Sequence, residues 1–302
     1  MKAIRFLPPA VLLMLAGILL GPSVLGSYLG TRQLLAVSTL EGVTLLGILK
    51  FTGTVGLIAF IFAMGTHFHL GDVVKELKCH KFRSVAFGSI VWPSIAGAIF
   101  GVMYSLVVGS STHDMVTLAL VCAVVFPTAA VPVLHSIMKD LEIEHAYKSV
   151  VVIAVIGDVI LWPASGMIMT GSLSAALVSG TLFAILVAVS VFAHDYIEKV
   201  AMVAKGHPIG ALAFCIVTAG AFSTATHEMG MHWVAGAFLA GLLTPRPVLE
   251  ALNGLVDRLA GLLIIPFFLT AGLTLQADLT SSAVWLTALA LTASAGFAKV
   301  VS

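Results

Sequence analysis

Charged side chains are scarce in this sequence. They make up 10% of its 302 residues, whereas 60% of the residues are hydrophobic and the mean hydropathy is +1.12. Soluble chains carry about 25% charged residues, which cover their surface with polar groups. The scarcity therefore excludes a soluble globular domain and favours a protein whose apolar surface faces lipid.

Cysteine clusters, a charge excess and enzyme motifs are also missing. Three cysteines without CxxC spacing indicate packing residues, and a net charge of +1 gives no basic field to attract nucleic acid. His67 and His69 close a predicted helix, which favours a solvated cap over a metal site. No nucleophile-elbow, zinc-protease, phosphate-loop or dinucleotide pattern occurs, so nothing in the sequence predicts an enzyme or a cofactor.

Ten apolar stretches approach or exceed the roughly 20 residues that a membrane-spanning helix needs. The sequence therefore predicts an all-α polytopic membrane protein with a single transmembrane domain over residues 1–302 and no soluble module. The first stretch continues without a cleavage site, so we interpret it as a retained helix. The predicted spans are 8–26, 47–68, 84–108, 115–138, 147–169, 173–194, 207–224, 230–245, 253–275 and 282–302.

Basic residues predict how the spans are oriented. If the N-terminus is cytoplasmic and the helices alternate, the outer loops hold Arg32 alone, as the positive-inside rule requires. Lys50 and Lys299 fall within spans. We therefore expect an integral protein of the inner or plasma membrane with a cytoplasmic N-terminus. The basic residues of the inner segments are Lys2, Arg5, Lys75, Lys78, Lys81, Arg83, Lys139, Lys148, Lys199, Lys205, Arg246 and Arg258.

Asp158 is the one acidic residue that the sequence places in the middle of a span. The other acids lie in or beside predicted loops, whereas Asp158 is near the centre of 147–169. A carboxylate at that depth costs about 2.5–3.5 kcal/mol on insertion scales, and such residues usually serve an ion or proton path. The structural alternative is a neutral aspartic acid that is hydrogen-bonded between helices, since burial disfavours the charged form.

Two prolines interrupt the fourth span at mid-depth. Pro127 and Pro132 lie five residues apart with Thr128 between them, and each proline removes a backbone donor and clashes with the preceding turn. The pair predicts a broken helix of the kind that binds ions in secondary transporters, with an ordinary kink as the alternative. Because the fourth and fifth spans are consecutive and antiparallel, we expect the break and Asp158 to face each other at the bilayer midplane.

Six segments, in order and at matching spacing, resemble the sodium/proton exchanger superfamily in its cation:proton antiporter-2 branch. They are similar to the first-helix signature, a second glycine-containing signature, the broken helix, the ion-site helix and two later signatures. The resemblance covers almost the whole chain. The segments are AGILLGPSVLG (16–26), TVGLIAFIFAMGTHFHL (54–70), AAVPVLHSIMKDLEI (129–143), VIAVIGDVILW (152–162), HWVAGAFLAGLLTPR (232–246) and LIIPFFLTAGLTL (263–275).

The resemblance implies a homodimer with an inverted-repeat fold, divided into a dimerisation domain and a core domain. Two broken helices would cross near an acidic ion site, and an elevator-like motion would exchange a monovalent cation for protons. Asp158 takes the position of the ion-site aspartate, and Thr128 lies within one residue of the usual hydroxyl residue. Gly157 occupies the preceding position, where relatives have Asp, Asn or Gln, and Lys299 falls where relatives carry a basic residue in the tenth helix.

The chain departs from the family's pattern in three respects. Gly157 supplies no second carboxylate or amide, so we expect exchange without net charge movement, or weak cation binding. The unwound stretch reads Pro127-Thr128-Ala129 in place of Ser-x-Thr. The sequence ends after its tenth predicted helix, so the resemblance implies a truncated chain that lacks the second broken helix and its partner.

The residues together predict secondary active transport. Asp158 would bind a proton and Na⁺ or K⁺ in turn, since one carboxylate cannot hold both tightly. Two alternatives stay open: a gated potassium efflux pathway built from the same residues, and a non-transporting truncated relic or partner subunit. Parallel electrical and pH-dye recordings separate exchange from simple efflux.

Overall fold

The computed structural model describes residues 9–25, 38–40, 43–68, 80–109, 111–128, 134, 150, 153–154, 157–158, 161, 173–204, 206–275 and 281–301. Within these ranges the chain is helical apart from one hairpin, in which β1 (Ser38–Leu40) pairs antiparallel with β2 (Val43–Thr44). Residues 134, 150, 153–154, 157–158 and 161 are helical as well. The helices are α1 (Pro9–Leu20), α2 (Leu45–Thr66), α3 (His80–Val108), α4 (Thr112–Val125), α5 (Leu173–Phe192), α6 (His194–Ala204), α7 (Pro208–Glu228), α8 (Trp233–Leu243), α9 (Arg246–Ala251), α10 (Leu255–Leu273) and α11 (Ser282–Val301).

Five helices of the described ranges are long and apolar enough to cross a membrane: α2, most of α3, α7, α10 and α11. Helices α5 and α6, which Ala193 separates, add a sixth span if they form one broken span. Each of the five overlaps a stretch that hydropathy predicts. The prediction of a helical polytopic membrane protein is therefore confirmed, whereas the count of ten spans and the inverted repeat stay predictions.

Two segments that the sequence analysis treats as linkers are helical. They are α6 and α9, which lie between predicted spans. Both contain charged residues, which lower the average hydropathy that identifies a span. A helix with polar residues on one side and apolar residues on the other has a low average hydropathy, so a search for apolar spans does not detect it.

The chain divides into two compact units. The first unit comprises residues 1–68, 192–224 and 236–284, and the second comprises 69–191, 225–235 and 285–302. Each unit is therefore assembled from segments that are distant in the sequence. The single transporter domain stays a prediction.

Glycines bring helices α2 and α10 of the first unit into backbone contact. A Cβ atom on Gly56 would collide with the carbonyl oxygen of Leu263, and a Cβ on Gly53 would stand 2.9 Å from the Cα of Phe267. Van der Waals packing of this kind is a main attraction between helices in lipid, because the hydrophobic effect does not drive helices together there. The two glycines thus hold α2 closely against α10.

Glycine pairs join two further helices to this arrangement. A Cβ on Gly17 of α1 would lie 3.0 Å from the Cα of Gly272 in α10, and a Cβ on Gly65 of α2 would lie 3.1 Å from the Cα of Gly241 in α8. Both contacts have a glycine on each side, so any side chain there would push the backbones apart. The first unit is therefore built on close helix crossings.

Helices α3 and α4 form the main packed pair of the second unit. A Cβ on Gly101 would stand 2.6 Å from the Cα of Ala119, and a Cβ on Gly97 would stand 3.0 Å from the ring of Phe126. Phe126 is 2% exposed, and its ring centroid lies 5.7 Å from that of Phe100. This packing fixes the position at which α4 ends.

Candidate functional site

Helix α4 ends immediately before the first of the two predicted break prolines. Its last helical residue is Val125, and Pro127 is buried just beyond it. Both the backbone N–H and the hydroxyl of Thr128 donate to the Val125 carbonyl, at 3.2 and 2.6 Å. Proline has no N–H to continue the helical ladder. The carbonyl of Thr128 therefore belongs to a stretch that is no longer helical.

Lys299 of α11 reaches this stretch. Its ammonium nitrogen donates a 2.6 Å hydrogen bond to the carbonyl oxygen of Thr128, across a sequence separation of 171 residues. Hydrogen bonds from a charged donor are roughly twice as strong as neutral ones. The contact ties the end of α4 to the last turn of α11 within the second unit.

Asp158 belongs to the same group of residues. Its side chain is half-buried, and the carboxylate is close enough to attract the Lys299 ammonium. The structure thus brings together three of the residues that the sequence singles out: an acid, a base and the residue beside the break. Only the cationic member was difficult to interpret from the sequence, because Lys299 is isolated near the end of an apolar helix.

Gly157 is buried beside Asp158 and contributes no ligand atom. A Cβ at this position would make an ordinary contact, 3.6 Å from Cγ1 of Ile90 in α3. The surroundings of Gly157 in this direction are therefore apolar. Pro132, the second predicted break residue, lies outside the described residues.

The ligand role expected of Thr128 stays a prediction. Its hydroxyl donates to the Val125 carbonyl, and its carbonyl accepts from Lys299. Threonine hydroxyls in helices commonly bond to a preceding carbonyl. A proline has no N–H for the carbonyl four residues before it, so Pro132 is the signal in the sequence for a free Thr128 carbonyl.

The histidines of the described ranges lie elsewhere. His67, at the end of α2, is 3.5 Å from the carboxylate of Asp257 in the first turn of α10. His227 stacks on Trp233 with ring centroids 3.9 Å apart. Among the residues that the structure describes, no three His, Cys, Asp or Glu side chains converge as a metal site would require.

The Asp158 group combines oxygen atoms with a resident positive charge. A carboxylate and a backbone carbonyl are the kinds of ligand that bind hard cations, and helix breaks in transporters present such carbonyls. The Lys299 ammonium donates to the Thr128 carbonyl and is attracted by the Asp158 carboxylate. The group can therefore hold one positive charge, either the ammonium or an ion that takes its place.

Comparisons with known proteins identify the family of this chain. Residues 1–302 match the family described as "Sodium/hydrogen exchanger, transmembrane". Cation/H(+) antiporter 15 of Arabidopsis thaliana is 27% identical, with 93% of this chain and 35% of that protein covered. K(+)/H(+) antiporter 1 of Saccharomyces cerevisiae is 23% identical, with 90% and 33% covered. The chain thus spans about a third of the length of the curated relatives it matches.

Proposed function

Because the chain belongs to the transmembrane sodium/hydrogen exchanger family, we propose that it exchanges Na⁺ or K⁺ for protons across a membrane, with Asp158 as the alternating site. The observation that carries this proposal is the contact of Lys299 with Thr128 beside the Asp158 carboxylate. It concentrates an acid, a freed carbonyl and a cation at the end of a helix. The names of the relatives, which are cation/H(+) and K(+)/H(+) antiporters, agree with this activity.

The proposed cycle depends on one carboxylate that takes part in three alternative interactions. Protonated Asp158 is neutral and releases the cation. Deprotonated Asp158 attracts either the Lys299 ammonium or a monovalent metal ion, and the ion gains the Thr128 carbonyl as a second oxygen ligand. Since the ammonium and the ion use the same oxygens, entry of the ion displaces the ammonium. Proton and cation therefore exclude each other at Asp158.

Gly157 determines how much charge the cycle moves. With glycine beside Asp158, the group has one carboxylate, and one proton is exchanged for one monovalent cation. We therefore propose exchange without net movement of charge. We also propose that the protein acts as a homodimer in the inner or plasma membrane with a cytoplasmic N-terminus, as the family resemblance and the basic residues of the loops favour.

The decisive experiment is proton flux in vesicles that contain the purified protein. A pH-sensitive dye is trapped inside, and Na⁺, K⁺ and Li⁺ are offered separately outside. The Asp158→Asn variant keeps the size of the side chain but can neither ionise nor carry the proton. We expect it to lose cation-driven flux almost completely, because an amide can neither attract the cation nor carry the proton.

The matched control is Asp114→Asn, which alters an exposed carboxylate in the first turn of α4. This variant should retain flux close to that of the unaltered protein. Flux that persists in Asp158→Asn would remove Asp158 from the mechanism. A steady potassium current without proton movement would replace exchange by simple efflux.

A further inference from the structure

A cavity of about 180 Å³ lies in the first unit, away from the Asp158 group. Helices α6, α7 and α8 each supply part of its wall. Apolar cavities of about 150 Å³ can hold a molecule the size of benzene. The volume is therefore sufficient for several methylene groups. Residues that line it include Tyr196 and Val200 of α6, Phe214 and Thr218 of α7, Ala240 of α8 and Thr244 immediately after α8.

The wall of the cavity is apolar although it contains two threonines. The Thr218 hydroxyl donates to the Phe214 carbonyl at 2.7 Å, and the Thr244 hydroxyl donates to the Ala240 carbonyl at 2.8 Å. Both hydroxyls are thus satisfied by the preceding turn. Water needs two to four polar partners in such a space, so the lining favours a hydrocarbon occupant.

Helix α6 has the form of a helix that lies at a membrane surface. At about 100° per residue, Tyr196, Val200 and Val203 fall on one face, with Glu198 on the opposite face and Asp195 to one side. Tyr196 is 71% exposed and Val203 86% exposed. A helix with such a division places its apolar face at the boundary between headgroups and acyl chains. The apolar wall that α6 gives the cavity is therefore at the edge of the lipid.

The outer surface beside the cavity is apolar as well. Val217, next to the lining residue Thr218, is 67% exposed, and Ile216 is 64% exposed. In a membrane protein, exposed apolar side chains of a spanning helix face acyl chains. The hydrocarbon nearest to the cavity is consequently an acyl chain of the bilayer.

Basic residues flank the cavity where a lipid phosphate would lie. Lys199 is exposed at the border of the apolar face of α6, about 40° from Val203 in helical projection. Arg246 is exposed at the start of α9, two residues after the lining residue Thr244, and α9 packs against α6. The positive-inside pattern predicts both on the cytoplasmic side, where anionic lipids attract basic residues.

We infer that this cavity is a lipid-binding site: it takes the end of an acyl chain of an anionic phospholipid whose phosphate pairs with Lys199 and Arg246. The lipid makes two separate contacts at this site: its acyl chain contacts the apolar lining, and its phosphate contacts the two basic side chains. It is independent of the proposed exchange at Asp158. A bound lipid would join α6 to α7 and α8.

Photolabelling of the intact protein tests the inference. The protein is reconstituted in vesicles of phosphatidylcholine with a trace of phosphatidylglycerol that carries a diazirine near the end of one acyl chain. After irradiation, the labelled residues are mapped by mass spectrometry. We expect label on α6, α7 and α8 at lining residues such as Val200, Thr218 and Ala240. Excess unlabelled phosphatidylglycerol should remove this label.

Two matched substitutions on α6 separate the cavity from the general lipid contact. Val200→Phe fills the cavity from a partly exposed position, whereas Val203→Phe adds the same bulk outside it. Because the added ring occupies the space of the chain end, we expect Val200→Phe to lower labelling of Thr218 and Ala240 to the level seen with excess unlabelled phosphatidylglycerol. Val203→Phe should leave the cavity label unchanged.

The charged contact is tested by the double variant Lys199→Gln with Arg246→Gln. It should reduce labelling by phosphatidylglycerol and leave labelling by a diazirine phosphatidylcholine nearly unchanged. Equal labelling of the Val200→Phe and Val203→Phe variants would overturn the cavity as the site. Labelling by a diazirine fatty acid that phosphatidylglycerol cannot compete with would overturn the phospholipid as the occupant.

Discussion

The α2–α10 pair of the first unit and helix α11 of the second are held by different kinds of contact. In the first unit, α2 and α10 meet backbone to backbone at Gly53 and Gly56. In the second unit, α11 is attached through polar groups: Lys299 to the Thr128 carbonyl, and the hydroxyls of Thr287 and Tyr104 at 3.5 Å. The spans of α2 and α10 are each 22% buried, whereas that of α11 is 6% buried.

This difference has a functional consequence. No other residue can replace a glycine at these close contacts, because any added atom overlaps with the neighbouring helix. The contact of an ammonium group with a carbonyl oxygen is replaceable, since another cation can take the place of the ammonium. The helix that carries Lys299 is therefore attached by a contact that the proposed transported ion can replace.

The largest effect should come from breaking the glycine contact of the first unit. Gly56→Ala adds one Cβ atom that collides with the Leu263 carbonyl oxygen. Overpacking costs about 1–3 kcal/mol and more where the backbone must move. We expect a large fall in the temperature at which the detergent-solubilised protein loses its monodisperse peak in size-exclusion chromatography.

The control for this substitution is Gly261→Ala in α10. No heavy atom lies within 4 Å of a Cβ built at this position, among the residues described. Alanine is also the better helix former, so stability should be unchanged or slightly higher. If both variants were equally stable, the close crossing of α2 and α10 would not be a source of stability.

A smaller effect should follow when the polar attachment of the second unit is removed. Lys299→Met keeps the length of the side chain and deletes the charge-assisted hydrogen bond to Thr128. Such a bond contributes about 1.5–3 kcal/mol. We expect a moderate fall in thermal stability, and stabilisation by added Na⁺ or K⁺ that exceeds that of the unaltered protein because the competing ammonium is gone.

Lys50→Met is the matched control, since Lys50 is also a basic residue within an apolar helix but is exposed near the start of α2. It should change neither stability nor the response to cations. If added cations stabilise Lys299→Met no more than the unaltered protein, the ammonium and the ion do not compete for the same oxygens.

Composition was sufficient to predict the membrane class, because lipid requires spans that are apolar throughout. The resemblance to sodium/proton exchangers and the assignment to transporters in place of enzymes are confirmed by the family match over residues 1–302. Hydropathy did not predict α6. Its charged residues lower the average hydropathy of the segment although one face is apolar. The signal for this helix is the separation of polar and apolar residues onto different faces.

The contact between Lys299 and Thr128 could not be predicted from the sequence alone. The two residues are 171 positions apart, and hydropathy patterns carry no information on which helices pack together. The resemblance placed Asp158, Thr128 and Lys299 in one functional set without specifying their atoms. The broken helix indicated free carbonyls, but which oxygen accepts from Lys299 depends on the local geometry after α4.

The smallest effect is expected at Gly157, and it distinguishes the two kinds of glycine in this protein. A Cβ there makes an ordinary 3.6 Å contact with Ile90, in contrast to the collision at Gly56. Gly157→Ala should therefore leave stability unchanged or raise it by up to about 1 kcal/mol, because alanine is the better helix former. It should also leave cation-driven proton flux nearly intact, because neither glycine nor alanine supplies a ligand. Loss of flux with unchanged stability would mean that the ion approaches Asp158 past the backbone of Gly157, where a methyl group stands in its way.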